Sequence, residues 1–201
     1  MELDTIKGKA VTPGASVRPK IQGQNHADNF GTPPEALKPL IPYLRWRIEE
    51  RRGARVWECA AGFDPLGQAL RSEGFAVHST DVQSSRELLA ETVSGNVDYL
   101  DNDLPGFYIA VTNPPFSLKD KFLARAYELE RPFAFLLPNT CLEGQKRQDL
   151  YARYGIELLV LRRRPKFTTP SGKVGGAWFP CSWFTWGLNL GSPLVFEPAG
   201  E

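Results

Sequence analysis

The sequence predicts an α/β protein built on one mostly parallel sheet wrapped by helices. Two observations carry that prediction. From Arg55 onward short apolar runs alternate with segments of helical character, and no internal repeat or long linker interrupts the alternation. A length of 201 residues with 42% hydrophobic content is also enough for one globular domain with a sizeable core and some appendages.

In chain order, residues 1–29 are rich in Gly, Pro, Lys, Ser and Asn with almost no apolar periodicity, and read as a flexible N-terminal arm. The stretch NFGTPPEALKPLIPYLRW opens with a turn and a helix start that Thr32 can cap, and Pro39 and Pro42 should break or kink that helix early. Strands are expected at ARVWEC, FAVHST, FYIAVT, PFAFLLP, IELLVL and CSWFTWGL, with NVDYL a short strand or turn. Helices are expected over 65–72, 84–91, 118–130 and 145–154. In the 118–130 helix Phe122, Leu123, Ala126 and Leu129 fall on one face. Residues 162–180 carry Pro, Gly and Lys with little periodicity, and form a basic loop too long for an ordinary turn.

Net charge is +1, so no global field points to a polyanionic partner. Local charge is more informative. Between Glu87 and Asp103 there are five acids and no base, whereas Gln145 to Lys173 holds eight bases against Asp149 and Glu157. Only the second region suits phosphates. Cys59, Cys141 and Cys181 are odd in number, far apart and lack a C-x-x-C pair, which predicts reduced, packed thiols. His26 and His78 do not form a ligand pair, so no metal site is expected. No apolar run approaches a membrane span and the N-terminus has no signal core, which predicts a soluble cytoplasmic protein.

In an open α/β sheet, ligands bind beyond the carboxyl ends of the strands, so the residues after each strand carry the function. The first strand is followed by ECAAGFDPLG, whose small residues let backbone pass close to a ligand. The second is followed by TDV, where Asp81 can accept from both hydroxyls of a ribose or cap the next helix. The third is followed by DYLDND, where Asp98 can accept from an adenine amine, while Asp101 and Asp103 read as a solvated acidic loop. The fourth is followed by TNPPFS. The four ends together describe a nucleoside cofactor site with a reactive centre beside it.

The TNPPFS chemistry follows from its prolines. Pro114 holds Asn113 out of helical geometry, and Pro115 does the same to Pro114. Neither proline has an N–H to compete for the nearby carbonyls. The Asn113 side-chain oxygen and the Pro114 carbonyl can therefore receive both hydrogens of a planar amino group. Such an amine is a poor nucleophile because its lone pair is delocalised. Two directional acceptors favour a pyramidal nitrogen and stabilise the positive charge that develops as it attacks a methyl group. Phe116 offers a face for stacking, a contact worth about 1–3 kcal/mol per base.

These residues resemble the S-adenosylmethionine-dependent N6-adenine DNA methyltransferases, including the phage and prophage type. TNPPFS resembles their catalytic motif and VWECAAG their cofactor loop, and TDV matches the ribose-binding acid. TPPEAL resembles a segment that closes over the methionine end of the cofactor, and LPNTCLEGQKR, RRRPKF and SWFTWGL are similar to the second half of the phage-type enzymes. The likeness covers about residues 29–188. It implies a Rossmann-like methyltransferase fold over 30–201, with helices on both faces of the sheet and an antiparallel last strand. It implies catalytic roles for Asn113, Pro114, Pro115 and Phe116. It also implies S-adenosyl-L-methionine bound by Thr32, Pro33, Glu58, Ala60, Gly62, Asp81, Asp98 and Asn113. A double-stranded DNA partner requires base flipping, with Arg162, Arg163, Arg164, Lys166 and Lys173 on the backbone and Phe167 as a second aromatic wall. The same motif also serves enzymes acting on RNA adenine or on a protein glutamine, and a binding module without turnover is the third reading.

Overall fold

The computed structural model describes residues 31–49, 51, 53–83, 92–168, 174–176 and 179–199. The expected N-terminal arm and the expected helix over 84–91 lie outside the described residues, as does Lys173.

The chain enters through α1 (Pro34–Leu37), a single 3-10 turn (Lys38–Leu40) and α2 (Ile41–Glu49). The interruption falls at Pro39, as expected from a ring that cannot donate an intrahelical bond. The expected Thr32 cap is not formed. Pro33 occupies the N-cap, with Pro34 at the first helical position, and no side chain caps the turn. Pro34 lacks one of the N–H groups that a cap would otherwise satisfy.

Beyond α2 the elements alternate as β1 (Arg55–Glu58), α3 (Pro65–Ser72), β2 (Val77–Thr80), β3 (Val93–Ser94), β4 (Phe107–Thr112), α4 (Lys119–Glu128), β5 (Phe133–Pro138), α5 (Gln145–Tyr154) and β6 (Glu157–Val160). Then come β7 (Lys166–Thr168), β8 (Val174–Gly176), β9 (Cys181–Trp186) and β10 (Leu194–Phe196). Eight strands form one sheet in the order β10-β6-β9-β5-β4-β1-β2-β3. Every pairing in it is parallel except those of β9, which runs antiparallel between β5 and β6.

Strands β4 and β5 are buried along their whole length, the pattern of a sheet covered on both faces. Successive residues serve opposite cores. Val56, Ile109, Val111, Ala134 and Leu136 pack with Leu37, Leu40 and Leu44 of the entry helices and with Leu66 and Leu70 of α3. Trp57, Ala110, Phe133, Phe135 and Leu137 pack with Phe122, Leu123, Ala126 and Tyr127 of α4 and lie with Leu150 and Tyr151 of α5. Trp183 ties the layers together by donating from Nε1 to the Ala36 carbonyl at 2.7 Å. The three cysteines are buried free thiols.

Two expectations change. The antiparallel strand is not the last: β10 follows it and pairs parallel with β6 at the sheet edge. Its Leu194 and Phe196 are exposed, so it lacks the buried apolar run that marks the other strands. The NVDYL segment, expected as a short strand or a turn, is a turn, and a two-residue strand precedes it at β3. The supposed loop of 162–180 contains β7 and β8, which pair antiparallel as a small separate sheet. Phe167, flanked by exposed Lys166 and Thr168, provides the alternation that holds β7 in place.

Candidate functional site

Strands β1, β2, β4 and β5 end on the same edge of the sheet. The chain proceeds from β1 outward to β2 and β3, then returns to place β4 on the other side of β1. The crevice between β1 and β4 is therefore the topological switch point, where α/β sheets bind ligands.

Glu58 ends β1 and is 1% exposed. Its Oε1 accepts from the Thr112 hydroxyl at the end of β4 and from the Ala60 amide at 3.1 Å. Burial pushes its carboxyl up to about 8, against the partial opposition of those two donors. Glu58 is thus protonated at neutral pH, and the residue it binds directly precedes Asn113.

Asp81 follows β2 and braces the loop after β1. Its Oδ2 accepts from the Gly62 amide at 2.9 Å and its Oδ1 from the Gln83 amide at 2.8 Å. Burial raises its pKa, while the Gln83 and Gly62 amides act the other way. Ala61 donates to the Thr80 carbonyl at 3.0 Å, which closes the loop onto β2. The chain turns there through Gly62 at φ 51° and Asp64 at φ 61°. A left-handed conformation suits glycine and strains Asp64.

What holds Asp64 is a buried network that the sequence reading passes over. Its fully buried carboxylate accepts from Arg71 at 2.6 Å, Ser79 at 2.8 Å and Thr92 at 3.0 Å. Arg71 also donates to Ser79 Oγ at 2.7 Å. Gly67 makes room for this: a Cβ there would lie 2.0 Å from Asp64 Oδ1 and 2.6 Å from Ser79 Oγ. The Asp64–Arg71 spacing of two helical turns is the signal that could have revealed the pair.

Asn113 is half-buried and Pro114 buried at the end of β4. Phe116 starts a 3-10 turn that leads into α4, and Lys119 Nζ donates to its carbonyl at 3.1 Å. Its ring meets Phe167 edge to face at 6.4 Å and Phe179 at 5.5 Å. Phe167 is 3% exposed and belongs to the core, so it supports Phe116 from behind instead of standing as a second wall. Thr32 is buried, and neighbouring Gly31 exchanges two backbone hydrogen bonds with Thr168, at 2.7 and 3.1 Å. The segment holding Thr32 and Pro33 is thereby attached to β7.

Several of the other expected residues have local partners of their own. Asp98 shapes its own turn, with Oδ1 accepting from the Leu100 amide at 3.0 Å and its carbonyl accepting from Asp101 and Asn102. Asp103 pairs with Arg125 at the surface. Arg162, Arg163, Arg164 and Lys166 are exposed between β6 and the end of β7, and the Arg162 amide donates to Glu197 at 2.7 Å. Among the described residues no cluster of His, Cys, Asp and Glu is arranged to hold a metal ion, and no helix is long and apolar enough to cross a membrane.

The Glu58 environment sets a pH dependence. The folded chain keeps this proton up to about pH 8, whereas the unfolded chain loses it near the ordinary value of 4.5. The contribution of Glu58 to stability is complete below the lower value and is lost as pH rises through the upper one. Glu58→Gln should therefore melt like the parent at about pH 3.5 and at least about 3 °C higher at pH 8.5. Parallel melting curves across that range would show that Glu58 is already ionised.

No family model matches the chain, and no curated protein matches it. Solved structures do. A chain from Pyrococcus horikoshii described as a putative RNA methyltransferase superposes with a TM-score of 0.56 at 14% identity, over 82% of this chain and 89% of that one. The METTL16 methyltransferase domain superposes with a TM-score of 0.52 at 13% identity, over 78% of this chain and 84% of that one. At these identities the likeness is one of fold, and the chain has the Rossmann-like methyltransferase fold.

Proposed function

We propose that the protein methylates the N6 amino group of adenine in DNA with S-adenosyl-L-methionine as donor. One observation carries the reading: Thr112, the residue before the Asn113–Phe116 loop, donates to Glu58 of the glycine-containing loop that Asp81 braces. An amino-group acceptor loop and a nucleoside-type loop thus share one hydrogen bond at the switch point.

The residues present fit the donor. Asp81 at the end of β2 would take the ribose, Ala60 and Gly62 would allow close backbone approach, and buried Glu58 can ionise against a cationic group. Thr32 and Pro33 would close the methionine side, and Asp98 would take the adenine. When bound, S-adenosylmethionine supplies a methyl group made electrophilic by its sulfonium.

Asn113 Oδ1 and the Pro114 carbonyl receive the two amine hydrogens and orient the nitrogen lone pair away from themselves. The stiffness of Pro114 and Pro115 holds these acceptors in place, so their stabilisation of the developing charge needs little reorganisation. Phe116 stacks on the base, which must leave its duplex to reach the loop. The exposed bases Arg162, Arg163, Arg164 and Lys166 hold the phosphates.

Presenting DNA, RNA and protein separately with labelled S-adenosylmethionine tests the acceptor. Label in DNA supports the reading, label confined to RNA or protein refutes it, and cofactor binding without any transfer indicates a binding module. Replacing Arg162, Arg163 and Arg164 with glutamine should lower the slope of log affinity for DNA against log salt by about 2 to 3, one counterion per lost phosphate contact. An unchanged slope in a binding titration would remove these residues from the interface.

A further inference from the structure

Phe179 lies next to Pro180 at the return of the chain from the β7–β8 hairpin into β9. The Asn139 amide donates to the Pro180 carbonyl at 2.9 Å, which continues the β5–β9 ladder past Pro138 and Cys181. That bond fixes the backbone beside Phe179 to the carboxyl end of β5, next to the end of β4. The Phe179 ring is half-buried and stands edge to face with Phe116 at 5.5 Å, with an interplanar angle of 67°. Phe167, from the outgoing side of the same hairpin, meets Phe116 at 6.4 Å and 77°. The catalytic loop is thus gripped by one aromatic ring from each side of the hairpin.

The two supports differ in kind. Phe167 is a core residue on a strand that also carries the Gly31 pairing, so its loss would disturb the entry segment as well. Phe179 is only half-buried, and among the described residues its aromatic-ring contact is with Phe116. Phe116 itself has two soft side-chain torsions, and Pro115 fixes only the backbone before it. Edge-to-face pairs prefer particular angles, so a neighbouring ring restricts how the Phe116 plane can turn.

Resting on the amino-methyltransferase reading above, we propose that Phe179 is a positioning residue for the acceptor: it sets the plane of the Phe116 ring against which the acceptor base stacks. Acceptor affinity then depends on the hairpin without any contact from Phe179 to the reacting atoms. Phe179 is not among the residues assigned to the cofactor, so cofactor affinity serves as the internal control.

The test compares Phe179→Leu, which keeps apolar volume, with Phe179→Tyr, which keeps the ring. In steady-state kinetics Phe179→Leu should raise the acceptor KM about 3- to 10-fold and leave the cofactor KM within about 2-fold, while Phe179→Tyr should restore the parent value. A readout free of turnover is 19F NMR of protein carrying 4-fluorophenylalanine, with the Phe116 signal assigned by its loss in Phe116→Leu. Phe179→Leu should shift that signal and Phe179→Tyr should largely preserve it. An unmoved signal, or equal acceptor KM for Leu and Phe, overturns the proposal. Failure of the parent protein to methylate any amine overturns the enzymatic reading instead, and the NMR arm still decides whether Phe179 orients Phe116.

Discussion

Asn113→Ala is expected to slow methyl transfer by about 10²- to 10³-fold, the usual loss when one oriented polar partner of a developing charge is removed. Cofactor affinity should stay within about 3-fold of the parent, because Glu58 and the loop braced by Asp81 remain in place. Single-turnover rates with saturating cofactor, combined with calorimetric affinities, separate the two effects. A variant with near-parent rates would show that Asn113 is a structural turn residue. A variant that loses cofactor binding in proportion to rate would move Asn113 to the cofactor side of the site. Pro114 contributes its acceptor through the backbone, so no side-chain substitution tests it as cleanly.

The largest stability effect is expected at Asp64. Asp64→Ala leaves Arg71 without its carboxylate and leaves Ser79 and Thr92 with one partner fewer. Because the Arg71 side chain is 29% exposed, water recovers part of its solvation, and the loss should be about 2–4 kcal/mol in denaturant unfolding. Removing Arg71 as well, as Arg71→Met, should recover part of that loss, since breaking a buried pair costs more than replacing both members. Equal stability of Asp64→Ala and the parent would mean that the network holds the loop no better than an apolar contact. Asp64 lies two residues beyond Gly62, so the substitution should also weaken cofactor binding through the slackened loop.

Much of this arrangement was legible from the chain because it follows from local rules. Pro65 starts α3 and Gly155 ends α5, and such punctuation makes the bounds of both helices legible. Strands β4 and β5 announced themselves as unbroken apolar runs. Glu58, Asp81 and Asn113 were picked out because they follow such runs, and the fold brings their strand ends to one edge.

The parts that were not legible depend on contacts distant in sequence. Ser79 and Thr92 converge on Asp64 from β2 and from the turn before β3, and neither stands out by residue type. The β7–β8 hairpin escaped because its anchors are Phe116 and Gly31, far from it in the chain. Strand β10 escaped because only its pairing with β6, and not burial, defines it. Asp98 also holds its own turn through its carboxylate and carbonyl, a local geometry that its position in the sequence does not reveal.

The most direct measurement incubates the protein with DNA and S-adenosylmethionine bearing a trideuterated methyl group, then identifies the labelled nucleoside by mass spectrometry. The account predicts N6-trideuteromethyl deoxyadenosine from the parent and its near disappearance with Asn113→Ala. Label on cytosine, or on deoxyadenosine at equal levels with and without the Asn113 side chain, would contradict it.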